Sequence, residues 1–336
     1  MIAAGERYLV TGAMGCIGAW TVRALVRDGA AVTALDLGAD TRRLAQIMTA
    51  EELAAVDVVR GDITDLRAFS AILDQRDVTS VIHLAALQVP FCRADPPRGA
   101  LVNVVGTVNV FEAVKRRGDV MGPVVYTSSI GMYAADDADP ATGRLAAGAQ
   151  AHPHNHYGVY KQANEGSARV YWLEDGVRSI GLRPLTVYGV GRDQGMTSGP
   201  TKAIVAAVLG VPYTVPFGGP TLFQYAEDAA RMLVAASRAT GVEASVVNMP
   251  GTVADGAALV AAIDAAVPGA GPLIDVEPVS LPFPVEIDTD GIEALGPIDV
   301  TPFDVGVRAS AEIYRAMAAE GRLDAAQHGL EVAAAR

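Results

Sequence analysis

The chain has 336 residues, 51% of them apolar and 19% charged, which is long for one ordinary domain and short for two full ones. One large core with a smaller lobe is therefore expected. The formal charge of −12 repels polyanions, Arg42-Arg43 and Arg116-Arg117 read as isolated pairs on solvated helix surface, and two cysteines, Cys16 and Cys92, are too few for a disulfide framework.

Met1 to Glu6 lead almost directly into a strand, with no signal peptide, and no apolar run reaches the roughly 18 residues of a membrane helix. The expectation is a cytoplasmic enzyme that binds neither membrane nor nucleic acid. Tyr8-Leu9-Val10 reads as the first strand, Trp20 to Arg27 as helix, Ala31 to Asp36 and Val56 to Gly61 as further strands. Asp65 to Gln75 is helical, Val81 to Leu84 a fourth strand, a helix runs from Pro97 to about Lys115, and Val124 to Tyr126 is a fifth strand. Short apolar strands alternating with helices imply a buried parallel sheet covered on both faces.

After Leu185 the pattern loosens. Gly189 to Pro220 is rich in Gly and Pro around one helical run, Thr201 to Leu209; Ser245 to Asn248 returns to the sheet; Ala254 to Ala266 is helical; Val267 to Pro284 is partly extended. Thr301-Pro302 starts a final helix, with Thr as cap and Pro at its first position. This divides the chain into a nucleotide domain, 1–187 plus about 222–250, and an interleaved substrate lobe, about 188–221 and 251–336.

Thr11-Gly12-Ala13-Met14-Gly15-Cys16-Ile17-Gly18 follows the first strand and opens a helix. Gly12 suits a tight turn, Gly15 a close backbone approach to a pyrophosphate, and Gly18 close packing of helix on sheet. The helix N-terminus at Cys16 and Ile17 offers free N–H groups and partial positive charge to phosphates. Asp36 ends the second strand 18 residues after Gly18. A carboxylate there accepts hydrogen bonds from ribose hydroxyls and repels a 2′-phosphate, which selects NAD over NADP. Farther on, Tyr157 and Lys161 stand four apart on a helix and share a face. Oxidising a carbinol moves a proton as well as a hydride, and a cation beside a phenol favours the phenolate that takes the proton.

With Ser128-Ser129 after the fifth strand, the chain resembles the extended short-chain dehydrogenase/reductases of the NAD-dependent epimerase/dehydratase family. Matching stretches are Thr11 to Gly18, Gly61-Asp62-Ile63, His83 to Ala86, Asn103 to Thr107, Tyr126 to Tyr133, Tyr157 to Lys161, Leu182-Arg183-Pro184, Tyr225 to Ala229 and Thr301-Pro302. The resemblance implies a Rossmann-type doubly wound sheet, with Asp62 and Ile63 flanking the adenine and Leu84, Ala85 and Ala86 lining the cofactor. It makes Tyr157 the acid/base, Lys161 its partner and holder of the nicotinamide ribose, Pro184 a neighbour of the nicotinamide, and Ser129 the binder of the reacting oxygen. It also implies a homodimer through the helices that begin near Asn103 and Tyr157.

Departures from the family narrow the reaction. Dehydratases carry an Asp-Glu pair where Ile130 and Gly131 stand, so dehydration is not expected. Nucleotide-sugar epimerases hold a pyrophosphate with an Asn and arginines; the corresponding positions are Thr186 and Thr221, and no Lys or Arg occurs between Arg238 and Arg308. The expected activity is NAD-dependent oxidation of a secondary hydroxyl on a small non-nucleotide substrate such as a sugar, sugar acid, polyol or other alcohol. An NAD-retaining sugar or nucleotide-sugar epimerase is the runner-up, and a non-catalytic NAD sensor is disfavoured by the intact Tyr-Lys pair. Gln88, His156 and Arg192 are candidate substrate contacts, Arg192 for a carboxylate. No metal is expected from the His152, His154 and His156 loop.

Overall fold

Strands that are apolar on both faces must be covered on both, and seven parallel strands sandwiched between two helical layers meet that requirement. The computed structural model describes residues 5–330. The first six strands of the central sheet are β1 (Arg7–Thr11), β2 (Ala31–Asp36), β3 (Val56–Arg60), β4 (Ser80–His83), β5 (Val124–Thr127) and β6 (Ser179–Arg183). The chain then leaves the sheet at Pro184, forms β7 (Thr186–Tyr188), β8 (Tyr213–Val215) and β9 (Thr221–Tyr225), and returns as β10 (Ala244–Asn248); β11 (Thr252–Ala254) and β12 (Ile274–Val276) follow. The central order is β3-β2-β1-β4-β5-β6-β10, so the winding direction reverses between β1 and β4.

The main helices are α1 (Cys16–Arg27), α2 (Leu66–Gln75), α3 (Gly106–Arg117), α4 (His156–Asp175), α5 (Gly199–Leu209), α6 (Ala226–Ser237), α7 (Gly256–Ala266) and α8 (Phe303–Ala319). Alternation along β1 serves both layers. Tyr8 and Val10 join the core with α1, α5, α6, α7 and α8, and Leu9 joins the core with α2, α3 and α4. Phe111 of α3 stacks on Tyr171 of α4, with centroids 5.1 Å apart, and meets Tyr126 of β5 edge-on at 6.0 Å.

Two expectations are corrected, and one sheet is additional to them. Thr186–Tyr188 and Thr221–Tyr225, not assigned as strands from the sequence, pair with each other, and the second also with β11, in a separate three-stranded sheet. Pro184 forces this departure, because it has no N–H to continue a ladder. The helix expected from Pro97 begins at Pro96 and is split by a π-helical turn at Leu101–Val105 before α3. Thr301 does not cap α8. Its N–H and hydroxyl both donate to the Asp228 carboxylate, each at 2.7 Å, and tie the last helix to the start of α6.

The helix that carries Tyr157 is fixed at several points. Asn155 caps it by accepting from the Gly158 N–H at 2.9 Å. One turn beyond Lys161, the Glu165 carboxylate accepts two hydrogen bonds from Arg183 at the end of β6, at 2.7 and 2.6 Å, and one from the Ser128 hydroxyl. A bidentate pair of this kind fixes orientation as well as position, so α4 is pinned to the ends of β5 and β6. Among the described residues no helix is long and apolar enough to cross a membrane.

Candidate active site

A cleft of about 820 Å³ opens at the C-terminal ends of the strands, at the point where the winding reverses. Its rim is set by a buried chain of hydrogen bonds between β1 and β4. Thr11 Oγ1 meets His83 Nδ1 at 2.7 Å, and His83 Nε2 meets Thr107 Oγ1 at 3.0 Å. The Leu84 and Ala85 N–H groups also donate to Thr11 Oγ1, both at 3.2 Å. Burial pushes the His83 pKa down to about 3, so the imidazole is neutral and works as a brace.

The loop after β1 is shaped to admit a dinucleotide. Gly12 has φ +66°, and a Cβ there would stand 2.6 Å from the Ala85 nitrogen. A Cβ on Gly18 would run into the Gly12 carbonyl and lie 2.8 Å from Ala13 Cα. Gly18 thus lets the start of α1 close onto the backbone that leaves β1. Gly15 caps α1 without a side chain, leaving the first-turn N–H groups open to the cleft. Cys16 lies beneath, buried, with its thiol pKa pushed up to about 12.

Asp36 lines the same cleft, and its Oδ2 accepts the Met14 N–H at 3.0 Å, which couples the ribose-side acid to the phosphate loop. Arg43, read from sequence as solvated, reaches back instead: it donates to the Met14 carbonyl at 2.7 Å and to Asp193 at 2.6 Å. This latch joins the segment after β2 to the loop after β7. Asp62, held by the Thr64 N–H at 2.8 Å, lines the cleft with Ile63, Leu84, Ala85 and Ala86.

At the other end stand Ser129, Tyr157, Lys161 and Pro184, with Gln88, Arg192 and Phe283. Burial raises the Tyr157 pKa, while the Ser129 hydroxyl, in hydrogen-bonding reach, and the Arg192 charge pull it down. The Lys161 ammonium lies over the Tyr157 ring, 5.5 Å from its centroid, and donates to the Thr127 carbonyl at 2.6 Å. Lys161 and Arg192 thus both place positive charge near the phenol. Ser129 accepts the Gly131 N–H at 2.9 Å and faces Tyr157, whereas Ser128 turns to Glu165.

Of the proposed site residues, His156 alone lies outside the cleft: it is exposed in the first turn of α4 and stacks on Tyr160 at 6.1 Å. His152 pairs with Asp137 at 2.5 Å, and among the described residues no cluster of three His, Cys, Asp or Glu side chains forms a metal site. Sequence reasoning missed Arg43, Asp193 and Phe283. The first two became visible only when a contact spanning 150 residues closed.

The glycine cradle a Cβ would fill, the open helix N-terminus and the coupled Asp36 fit NAD, with Gly12, Gly15, Cys16 and Ile17 at the phosphates and Asp36 at a ribose. Fold and cleft together define a dinucleotide-binding scaffold. The chain belongs to the NAD dependent epimerase/dehydratase family, which matches residues 8–249, and NAD is its cofactor. It is 33% identical over 215 residues to UDP-glucose 4-epimerase of Mycolicibacterium smegmatis, covering 63% of this chain and 66% of that one. Across the first three curated relatives the match spans 66%, 51% and 50% of their lengths. In fold it is similar to an L-threonine dehydrogenase from Cupriavidus necator, with TM-score 0.77 and 23% identity over 93% of this chain and 99% of that one. It is also similar to the Thermus thermophilus UDP-glucose 4-epimerase in complex with NAD, with TM-score 0.76 and 24% identity over 92% and 99%.

Two outcomes test this geometry. Asp36→Ala removes the ribose-side acceptor and the Met14 tether, so the Kd for NAD⁺ rises about tenfold or more and the margin over NADP⁺ narrows, as titration calorimetry would show; an unchanged Kd contradicts the assignment. Burial pushes the Lys161 pKa down to about 8, against about 10.4 in an unfolded chain. Between those values the unfolded chain holds the proton and the folded one has lost it, so this group's contribution to stability rises with pH, and the cost of burying its charge is fully present below about 8. Urea titrations of cofactor-free protein should show wild type gaining on Lys161→Met by up to about 3 kcal/mol across that window; a flat difference would contradict it.

Proposed function

We propose that the protein is an NAD-dependent dehydrogenase that oxidises a secondary hydroxyl of a small non-nucleotide substrate. The observation that carries this is the fate of the two positions where nucleotide-sugar enzymes place polar anchors. Thr186 and Thr221 are buried and hydrogen-bonded to each other at 2.9 Å across β7 and β9, spent within the lobe. Phe283 supports the same reading: it occupies the segment where a further arginine would sit, and a Cβ on Gly131 would be 3.8 Å from both its ring and that of Tyr157. Phe283 thus gives the Tyr157 end of the cleft an aromatic wall.

Bound NAD⁺ supplies the hydride acceptor, so that a carbinol becomes a ketone with formation of NADH and release of one proton. Tyr157 takes the hydroxyl proton, and Ser129 donates a hydrogen bond to the same oxygen and aligns it. Lys161, anchored on the Thr127 carbonyl, holds cationic charge beneath the phenol. Arg192 lowers the cost of the phenolate by its charge. Tyr157→Phe keeps the packing and removes the proton acceptor; turnover should fall by about 10²–10⁴ with little change in NAD⁺ affinity. Turnover equal to wild type would sink the assignment.

A second reading, an epimerase that retains NAD and returns the hydride, draws support from the Arg43–Asp193 pair, which ties the loop at Met14 to the segment after β7, and from the relative named above. The face formed by α4 and the π-helical turn before α3, with Leu101, Val105, Val159, Val170 and Leu173 exposed, suits a homodimer interface. Light scattering should find a dimer in wild type and a monomer in Val170→Lys/Leu173→Asp; a monomeric wild type would refute the dimer.

A further inference from the structure

Arg42 and Arg43 are both committed to Asp193, at 3.8 and 2.6 Å. Arg192, next to that aspartate in the chain, is not. Its guanidinium makes one hydrogen bond to a neutral acceptor, Thr197 Oγ1 at 3.1 Å. Its Nε is buried with no partner, and among the described residues it has no ion pair. Gln88 is in the same condition, with its side-chain oxygen buried and unsatisfied. The two meet around Gly195: a Cβ built there would collide with the Gln88 oxygen and stand 3.3 Å from Arg192 Nη2.

Buried polar groups without partners cost free energy, and two that converge on one corner of a cavity call for a ligand that satisfies both. Asn103 makes the corner rigid: its amide accepts the Leu87 N–H at 2.7 Å and donates to the Leu87 carbonyl at 2.8 Å, fixing the backbone just before Gln88. The charge pattern gives the ligand's sign. All three acids lining the cleft, Asp36, Asp40 and Asp62, belong to its ribose end, while the Tyr157 end has Lys161 and Arg192 and no carboxylate.

Resting on the dehydrogenase reading, we propose that the substrate is a small hydroxy acid whose carboxylate is held by Arg192 and the Gln88 amide while its hydroxyl meets Ser129 and Tyr157. The two oxygens of a carboxylate match the fork of a guanidinium. Turning the Gln88 amide about its last bond presents its NH₂ group as a further donor. Phe283, close to Tyr157, limits the length of the acid that fits.

The test uses NADH-loaded protein, so that binding is read without turnover. Calorimetric titration compares matched pairs: gluconate against glucitol, and 3-hydroxybutyrate against butane-1,3-diol. At least one acid should bind about tenfold or more tightly than its neutral partner. Arg192→Gln should erase that preference, Arg192→Lys should keep part of it, and Gln88→Leu, with the arginine in place, should weaken the acid alone. NAD⁺ affinity should stay within about threefold in all three. Equal binding of acid and alcohol, or no acid binding at all, overturns the proposal. So does an Arg192→Gln variant that loses NAD⁺ affinity but keeps the acid, which would assign the arginine to the cofactor's pyrophosphate. Steady NADH formation from alcohols lacking a carboxylate would leave the dehydrogenase reading standing and remove this one. Acids that bind through Arg192 yet never yield NADH would do the reverse.

Discussion

The hydrogen-bonded junction of β1 and β4 is the constraint on which the rest of the site depends. Where winding reverses, two neighbouring parallel strands send their connections to opposite faces and a crevice opens beyond their ends. Thr11, His83 and Thr107 hold that crevice at a fixed width through a neutral imidazole with both nitrogens engaged. The Leu84 and Ala85 backbone hangs on the same threonine hydroxyl, and Gly12 must be a glycine because Ala85 is so close. The phosphate loop, the cofactor wall and the entrance to the substrate corner therefore share one set of bonds.

From this junction the cleft runs between two electrostatic poles. Asp36, Asp40 and Asp62 line one end, with Arg43 beside them, and Lys161 and Arg192 stand at the Tyr157 end without a carboxylate. Burial acts on both members of the Tyr157-Lys161 pair, raising the phenol and lowering the ammonium. The opposing shifts move the two pKa values apart and bring the lysine toward the working range of pH. Arg192 adds a second positive charge where it can steady both the phenolate and an anionic substrate.

Much of this was legible in the sequence, because it rests on local rules. A glycine loop between strand and helix, an acid at the end of the next strand and a Tyr-x-x-x-Lys helix each depend on spacing along the chain. What escaped depends on closure between distant segments. Arg43 looks like solvated surface until Asp193 arrives from 150 residues away. Thr301 looks like a cap until Asp228 takes both of its donors. The strands Thr186–Tyr188 and Thr221–Tyr225 carry the same apolar pattern as the central ones, and only the proline before them shows that the ladder breaks. His156 is adjacent to Tyr157 in sequence, but one step along a helix turns a side chain about 100° away, and it faces solvent.

The central claim is that hydride leaves the substrate for good. The most direct measurement follows the absorbance of reduced nicotinamide while enzyme, excess NAD⁺ and candidate hydroxy acids are mixed, with the product analysed in parallel. The account predicts NADH accumulating over many turnovers, matched mole for mole by a ketone. An isomerised alcohol with NADH never exceeding the concentration of active sites would contradict it and make the protein an epimerase.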